Sequence, residues 1–176
     1  MRLFIAIDLP KSFKAELSRL QRELKAVSTG GRFVPESSFH ITLHFIGESN
    51  ALSEAASAMA EAVRGIRPFT LHLGEYDSFL RGSRTSFIKV LGELSELSIL
   101  HEALQCTLFD AGFSRERKGL TPHITLGRSV EHDMAAQEAM LRLSPNASMT
   151  VDSIVLFESR KENGRIVYIP VHRQRF

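Results

Sequence analysis

One tetrapeptide occurs twice in this chain: His40-Ile41-Thr42-Leu43 returns as His123-Ile124-Thr125-Leu126, 83 residues later. Both copies sit among β-favouring apolar residues, and strand side chains alternate between two faces. Each copy therefore presents a histidine and a threonine side by side, backed by an aliphatic pair that faces a core. Two such strands brought together would form a pocket with two imidazoles and two hydroxyls.

The rest of the chain supplies strands and helices in a regular order. Arg2 to Leu9 reads as a strand rich in Ile and Phe. Pro10 suits the first turn of a helix, and Phe13, Leu17, Leu20, Leu24 and Val27 recur at helical spacing until Gly30-Gly31. Arg32 to Pro35 is a short extended piece, and Ser38 to Ile46 is the first motif strand. A second helix covers 52–63, two strands cover 69–79 and 85–91 around Arg81-Gly82-Ser83, and a third helix covers 96–109. A polar loop, 114–119, precedes the second motif strand, 123–129. A short helix at 133–143 and strands at 151–158 and 166–171 complete the chain, with Asn163-Gly164 as a hairpin turn. Strand, helix, motif strand, helix and two further strands occur in each half. This suggests an internal repeat, although identity outside the motifs is slight. The order predicts an α+β protein with mixed or antiparallel sheets in one domain, residues 1–176.

Composition narrows the function. With 43% hydrophobic residues, the 176-residue chain has ample material for a core, which argues against disorder. No stretch reaches the roughly 20 apolar residues of a membrane span, and the opening residues read as a strand rather than a signal peptide. The expected location is the cytoplasm, with no membrane partner. The single cysteine, Cys106, offers no disulfide or zinc site and is expected in the core under the third helix. A net charge of +2 is compatible with an anionic ligand. A duplex-binding protein would show a denser basic stripe.

The paired motif carries the chemistry. Histidine titrates near neutrality. One neutral imidazole can take a proton from water while an imidazolium gives one to a departing alkoxide. Threonine hydroxyls two residues along can donate to phosphate oxygens, where negative charge develops. A strained cyclic phosphodiester suits this set, and neither a metal nor another cofactor is needed. These arguments leave open which histidine is acid and which is base.

Two His-x-Thr-x motifs on strands, in a chain of this size, resemble the two-histidine phosphoesterase superfamily. The closer likeness is to its LigT-type RNA 2′,3′-cyclic phosphodiesterase branch. Arg2 to Ile7, Arg32-Phe33-Val34-Pro35, His40 to Gly47, Thr121 to Arg128 and Leu156-Phe157-Glu158-Ser159 carry the likeness across nearly the whole chain. The resemblance implies a bilobal fold, with two pseudo-symmetric βα lobes flanking a central cleft. It implies opening of a 2′,3′-cyclic phosphate at an RNA 3′ end to a 2′-phosphomonoester, and a monomer is expected. By position it makes His40 the proton donor to the leaving 3′ oxygen, His123 the base that activates water, and Thr42 and Thr125 the phosphate holders. The alternatives are 2′–5′ RNA ligation, hydrolysis of another small cyclic nucleotide, and a non-catalytic RNA-end-binding module.

Other residues are less decisive. Arg128 could clamp phosphate oxygens, but strict alternation puts it on the Ile124/Leu126 side unless the strand ends or bulges near Gly127. The equivalent place after the first motif holds Phe45. A regular strand puts His44 on the His40 face, at the cleft edge or in a structural role. Four strand steps would separate the two by roughly 13 Å, too far to share one metal ion. Phe4 is a candidate for stacking a terminal base, with plain core as the alternative. His72, His101, His132 and His172 read as surface or structural. Arg115-Glu116-Arg117-Lys118 reads as a solvated basic loop that could touch RNA phosphates.

Overall fold

A computed structural model of the chain describes residues 1–81 and 83–176. Its elements are β1 (Arg2–Asp8), α1 (Lys11–Val27), β2 (Gly30–Phe33), a 3-10 turn (Glu36–Ser38), β3 (His40–Glu48), α2 (Leu52–Ala62), β4 (Phe69–Arg81), β5 (Ser83–Gly92), α3 (Leu94–Asp110), β6 (His123–Glu131), α4 (Met134–Leu141), β7 (Ser148–Val151), β8 (Ser153–Glu162) and β9 (Arg165–Arg175). One sheet has the order β3-β1-β8-β9 and the other β2-β6-β5-β4-β7. Every pairing is antiparallel. The α+β class and the two-lobed arrangement expected from the sequence are both present, one motif strand to each sheet. The turn read at Arg81-Gly82-Ser83 falls on Gly82, outside the described residues.

The amphipathic spacing explains how helices meet sheets. Phe13, Leu17, Leu20 and Leu24 form the buried stripe of α1. They join one continuous core with Leu3, Ile5 and Ile7 of β1, Ile41 and Leu43 of β3, Ile124 and Leu126 of β6, and Leu97, Leu100, Leu104 and Leu108 of α3. The aliphatic halves of both motifs thus anchor to the same apolar interior, and their polar halves turn away from it. The Asn163-Gly164 turn forms as read, with both residues at positive φ (49° and 79°) between paired Glu162 and Arg165, the geometry of a two-residue hairpin.

Two expectations are corrected. The strand read at 151–158 divides at Asp152: β7 pairs with β4 in one sheet, and β8 pairs with β1 in the other. The switch falls at the polar pair Asp152-Ser153, and sequence pattern passes over it because buried residues, Val151, Ser153 and Ile154, continue on both sides of the bend. An ion pair from Arg175 to Asp152 (3.2 Å) and a bond from the Phe176 amide to the Asp152 carbonyl (3.0 Å) hold it. Cys106 is exposed rather than buried. The inward face of α3 is Leu97, Leu100, His101, Leu104, Gln105 and Leu108, and Cys106 lies just off that stripe, taking a contact from Arg115 at 3.1 Å.

Candidate active site

The two motif strands, β3 and β6, lie against each other between the sheets. Their burial runs in parallel: half-buried His40 and Thr42 alternate with buried Ile41 and Leu43, as His123 and Thr125 alternate with Ile124 and Leu126. Then the alternation breaks in both. Thr42 pairs with Ala6 and His44 with Ile5, so Leu43 is skipped. Thr125 pairs with Phe87 and Gly127 with Ser86, so Leu126 is skipped. These are β-bulges at equivalent positions, and each reverses which residues face the cleft. Phe45, 61% exposed, and Arg128 turn outward onto the histidine faces. His44 turns inward to 0% exposure, which corrects its expected place beside His40. Gly127 is needed where it stands, since a Cβ there would lie 2.7 Å from Val130 Cγ2.

Both bulges are supported from behind by a buried glutamine. Gln21 of α1 donates to the carbonyls of Val34 (2.7 Å) and Leu126 (2.8 Å), the skipped residue of β6. Gln105 of α3 contacts His101 (3.2 Å) and accepts from the Glu116 amide (3.2 Å). The Glu116 carboxylate in turn accepts from the Phe45 amide at 2.7 Å, just past the bulge of β3. The segment before each motif strand therefore crosses to brace the other one. Both glutamines sit in the spacing Leu-Gln-x-x-Leu, Leu20 to Leu24 and Leu104 to Leu108. A polar residue inside a buried helical stripe was the available signal, and motif-based reading passes over it.

Backbone carbonyls orient the histidines. Nδ1 of His40 donates to the Ser38 carbonyl (2.7 Å), and Nδ1 of His123 donates to the Thr121 carbonyl (2.6 Å). A carbonyl can only accept, so both neutral rings carry their proton on Nδ1 and keep a lone pair on Nε2. His40 Nε2 accepts from the Thr42 hydroxyl at 2.9 Å. Two aromatic rings box each imidazole: Phe4 and Tyr168 at 5.0 and 5.2 Å from His40, and Phe79 and Phe87 at 5.4 and 5.2 Å from His123. Tyr168, Phe79 and Phe87 escape a sequence-only reading. Phe4 is 3% exposed in a small cluster with Ala6, Val155, Phe157 and Tyr168. Its ring backs His40 and shows no free face to a base.

This packing sets the electrostatics. Burial pushes the His40 pKa below the ordinary 6.5, the Ser38 carbonyl opposes it, and the charges of His123, Arg128 and Lys14 lower it further. Burial likewise lowers His123, with the Thr121 carbonyl opposing and Arg128 adding to the shift. Arg128 thus acts on both rings from one neighbourhood. Lys14 is itself held by Asp8 (3.3 Å), which also binds Arg173 (2.8 Å). Among the described residues, no three metal-ligating side chains converge, and no helix is long and apolar enough to cross a membrane. His101 is buried at 8% beside His44. His132 bonds Tyr76 at 2.8 Å, away from both motifs. Arg117 and Lys118 are exposed on the loop that carries Glu116.

Comparison with known proteins agrees with this arrangement. Residues 9–163 match the family model of the 2′-5′ RNA ligase superfamily. The RNA 2′,3′-cyclic phosphodiesterase of Escherichia coli is 32% identical, over 98% of this chain and 94% of its own length. That of Thermotoga maritima is 35% identical, over 73% of this chain and 70% of its own length. The crystal structure of Escherichia coli LigT in apo form superimposes with a TM-score of 0.76 at 28% identity, covering 99% of this chain and 96% of that one. Its complex with 3′-AMP gives a TM-score of 0.76 at 27% identity, covering 99% of this chain and 97% of that one. With both bulged motif strands in place and most of its length matched, the chain belongs to the 2′-5′ RNA ligase superfamily, the two-histidine phosphoesterases that its repeated tetrapeptide resembles.

Proposed function

We propose that this protein hydrolyses 2′,3′-cyclic phosphodiester ends of RNA to 2′-phosphomonoesters, as a monomer in the cytoplasm. The observation that carries this is the pair of imidazoles locked with Nδ1 protonated, each followed by a threonine, beside one shared guanidinium. His123 Nε2 takes a proton from water, and the water oxygen forms a bond to phosphorus. The P–O3′ bond breaks, and protonated His40 delivers its Nε2 proton to the departing O3′. A local difference supports His123 as the base: among the described residues its Nε2 lone pair has no hydrogen-bond partner, whereas the Thr42 hydroxyl donates to His40 Nε2 and must turn round once His40 takes up its proton. Charge at His40 follows the substrate. Its anionic phosphate offsets Arg128 and His123, so His40 protonates in the complex more readily than in the free protein. Thr42, Thr125 and Arg128 donate to the non-bridging oxygens as charge builds there.

The test is an RNA oligonucleotide ending in a 2′,3′-cyclic phosphate, with phosphorus NMR identifying the product. A 2′-phosphate is expected, and binding without product would leave only an RNA-end-binding module. His40→Ala and His123→Ala should each lower turnover by about 10²–10⁴ while circular dichroism stays unchanged. Retention of activity within a few-fold in either variant removes that residue from the mechanism.

A further inference from the structure

Arg32 and Arg128 stand directly opposite each other across the β2–β6 ladder. Directly opposed residues share one face of a sheet, with Cβ atoms about 4.5–5.5 Å apart. Their neighbours decide which face. Phe33, opposite Gly127, packs onto the hydrophobic core, so Arg32 turns with Arg128 to the other side. Both arginines are exposed, and among the described residues neither makes an ion pair. The nearby carboxylates are occupied or directed elsewhere: Glu36 accepts from Ser18, and Glu131 lies against Gly30.

Like charges directly opposed across a ladder destabilise a sheet. A bound anion would offset that cost. One cyclic phosphodiester carries a single negative charge, and Arg128 already reaches both histidines electrostatically. Arg32 lies one strand further out, at the sheet edge. The geometry points to a second phosphate subsite at Arg32, which takes the 5′-phosphate of the terminal nucleotide while Arg128 serves the reacting phosphate. The favoured substrate class is then a nucleotide within an RNA chain, or a 5′-phosphorylated nucleoside 2′,3′-cyclic phosphate, over the bare nucleoside cyclic phosphate. This rests on the cyclic phosphodiesterase reading above.

The experiment compares kcat/KM for a nucleoside 2′,3′-cyclic phosphate, its 5′-phosphorylated form, and a dinucleotide ending in the cyclic phosphate. The unsubstituted protein should prefer the latter two by about tenfold, as one charge-assisted contact provides, and the preference should shrink as salt rises. In Arg32→Gln the ratio should fall toward one, and Arg32→Lys should keep part of it. Because only the ratio between substrates is read, any loss of folded protein cancels. An equal rate on all three substrates in the unsubstituted protein, or an undiminished preference in Arg32→Gln, overturns the subsite. If the unsubstituted protein hydrolyses none of them, the cyclic phosphodiesterase reading fails instead. Titration with a nucleoside 2′-phosphate, with and without a 5′-phosphate, then still decides the role of Arg32.

Discussion

Replacing Gln21 with leucine tests whether the bulge in β6 is held from α1. The side chain is 7% exposed and lies on the opposite side of the sheet from the histidines. Its amide satisfies the Val34 carbonyl at 2.7 Å and gives the Leu126 carbonyl a second donor beside the Val34 amide (2.9 Å). Leucine matches the volume but supplies neither bond. The Val34 carbonyl is then left without its donor, at about 1–3 kcal/mol, and the lost second bond to Leu126 adds roughly 0.5–1.5 kcal/mol. The sum, about 1.5–4.5 kcal/mol, lowers the melting temperature by about 3–18 °C for a chain of this size. Urea unfolding followed by circular dichroism measures it. If the bulge depends on this brace, kcat/KM at 25 °C should also fall, because Arg128 loses its register with Thr125. A stability change under about 0.5 kcal/mol would show that the carbonyls find other donors, and the reasoning would be wrong.

Two further outcomes follow from the titrating groups. Since burial holds both cleft histidines below 6.5, kcat/KM should trace a bell with both limbs below that value, and kcat should trace one displaced to higher pH by the bound phosphate; a kcat/KM maximum above about pH 7.5 counts against the pair. Stability should fall as pH drops below 6.5, because buried His44 and His101, both lowered from that value by burial, bind protons in the unfolded chain before they do in the folded one. Each contributes a slope of up to about 1.4 kcal/mol per pH unit, and urea midpoints unchanged between pH 7 and 5.5 would contradict this.

The motif strands are legible in the sequence because four residues carry both messages at once: aliphatic side chains that demand a core and polar ones that demand a cleft. Alternation also predicts the right faces as far as Leu43 and Leu126. It fails immediately afterwards. A bulge is a feature of pairing between strands, and neither strand alone encodes which residue its neighbour will skip. Hence alternation places Arg128 correctly only if the strand is irregular near Gly127, and it puts His44 on the wrong side. The aromatic box around each histidine was hidden for a related reason. Tyr168, Phe79 and Phe87 come from strands distant in the chain, and only the sheet order brings them to the imidazoles. Cys106 shows the limit of helical periodicity, which finds a stripe but blurs its edges by one residue.

The sheet order has a temporal consequence. Among the described residues β1 is flanked by β3 and β8, and β2 pairs only with β6. A nascent polypeptide leaving the ribosome therefore holds β2 unpaired until β6 emerges, and β1 with one bare edge until β8 follows. The groove is a late product of synthesis, complete only when β9 brings Tyr168 against His40.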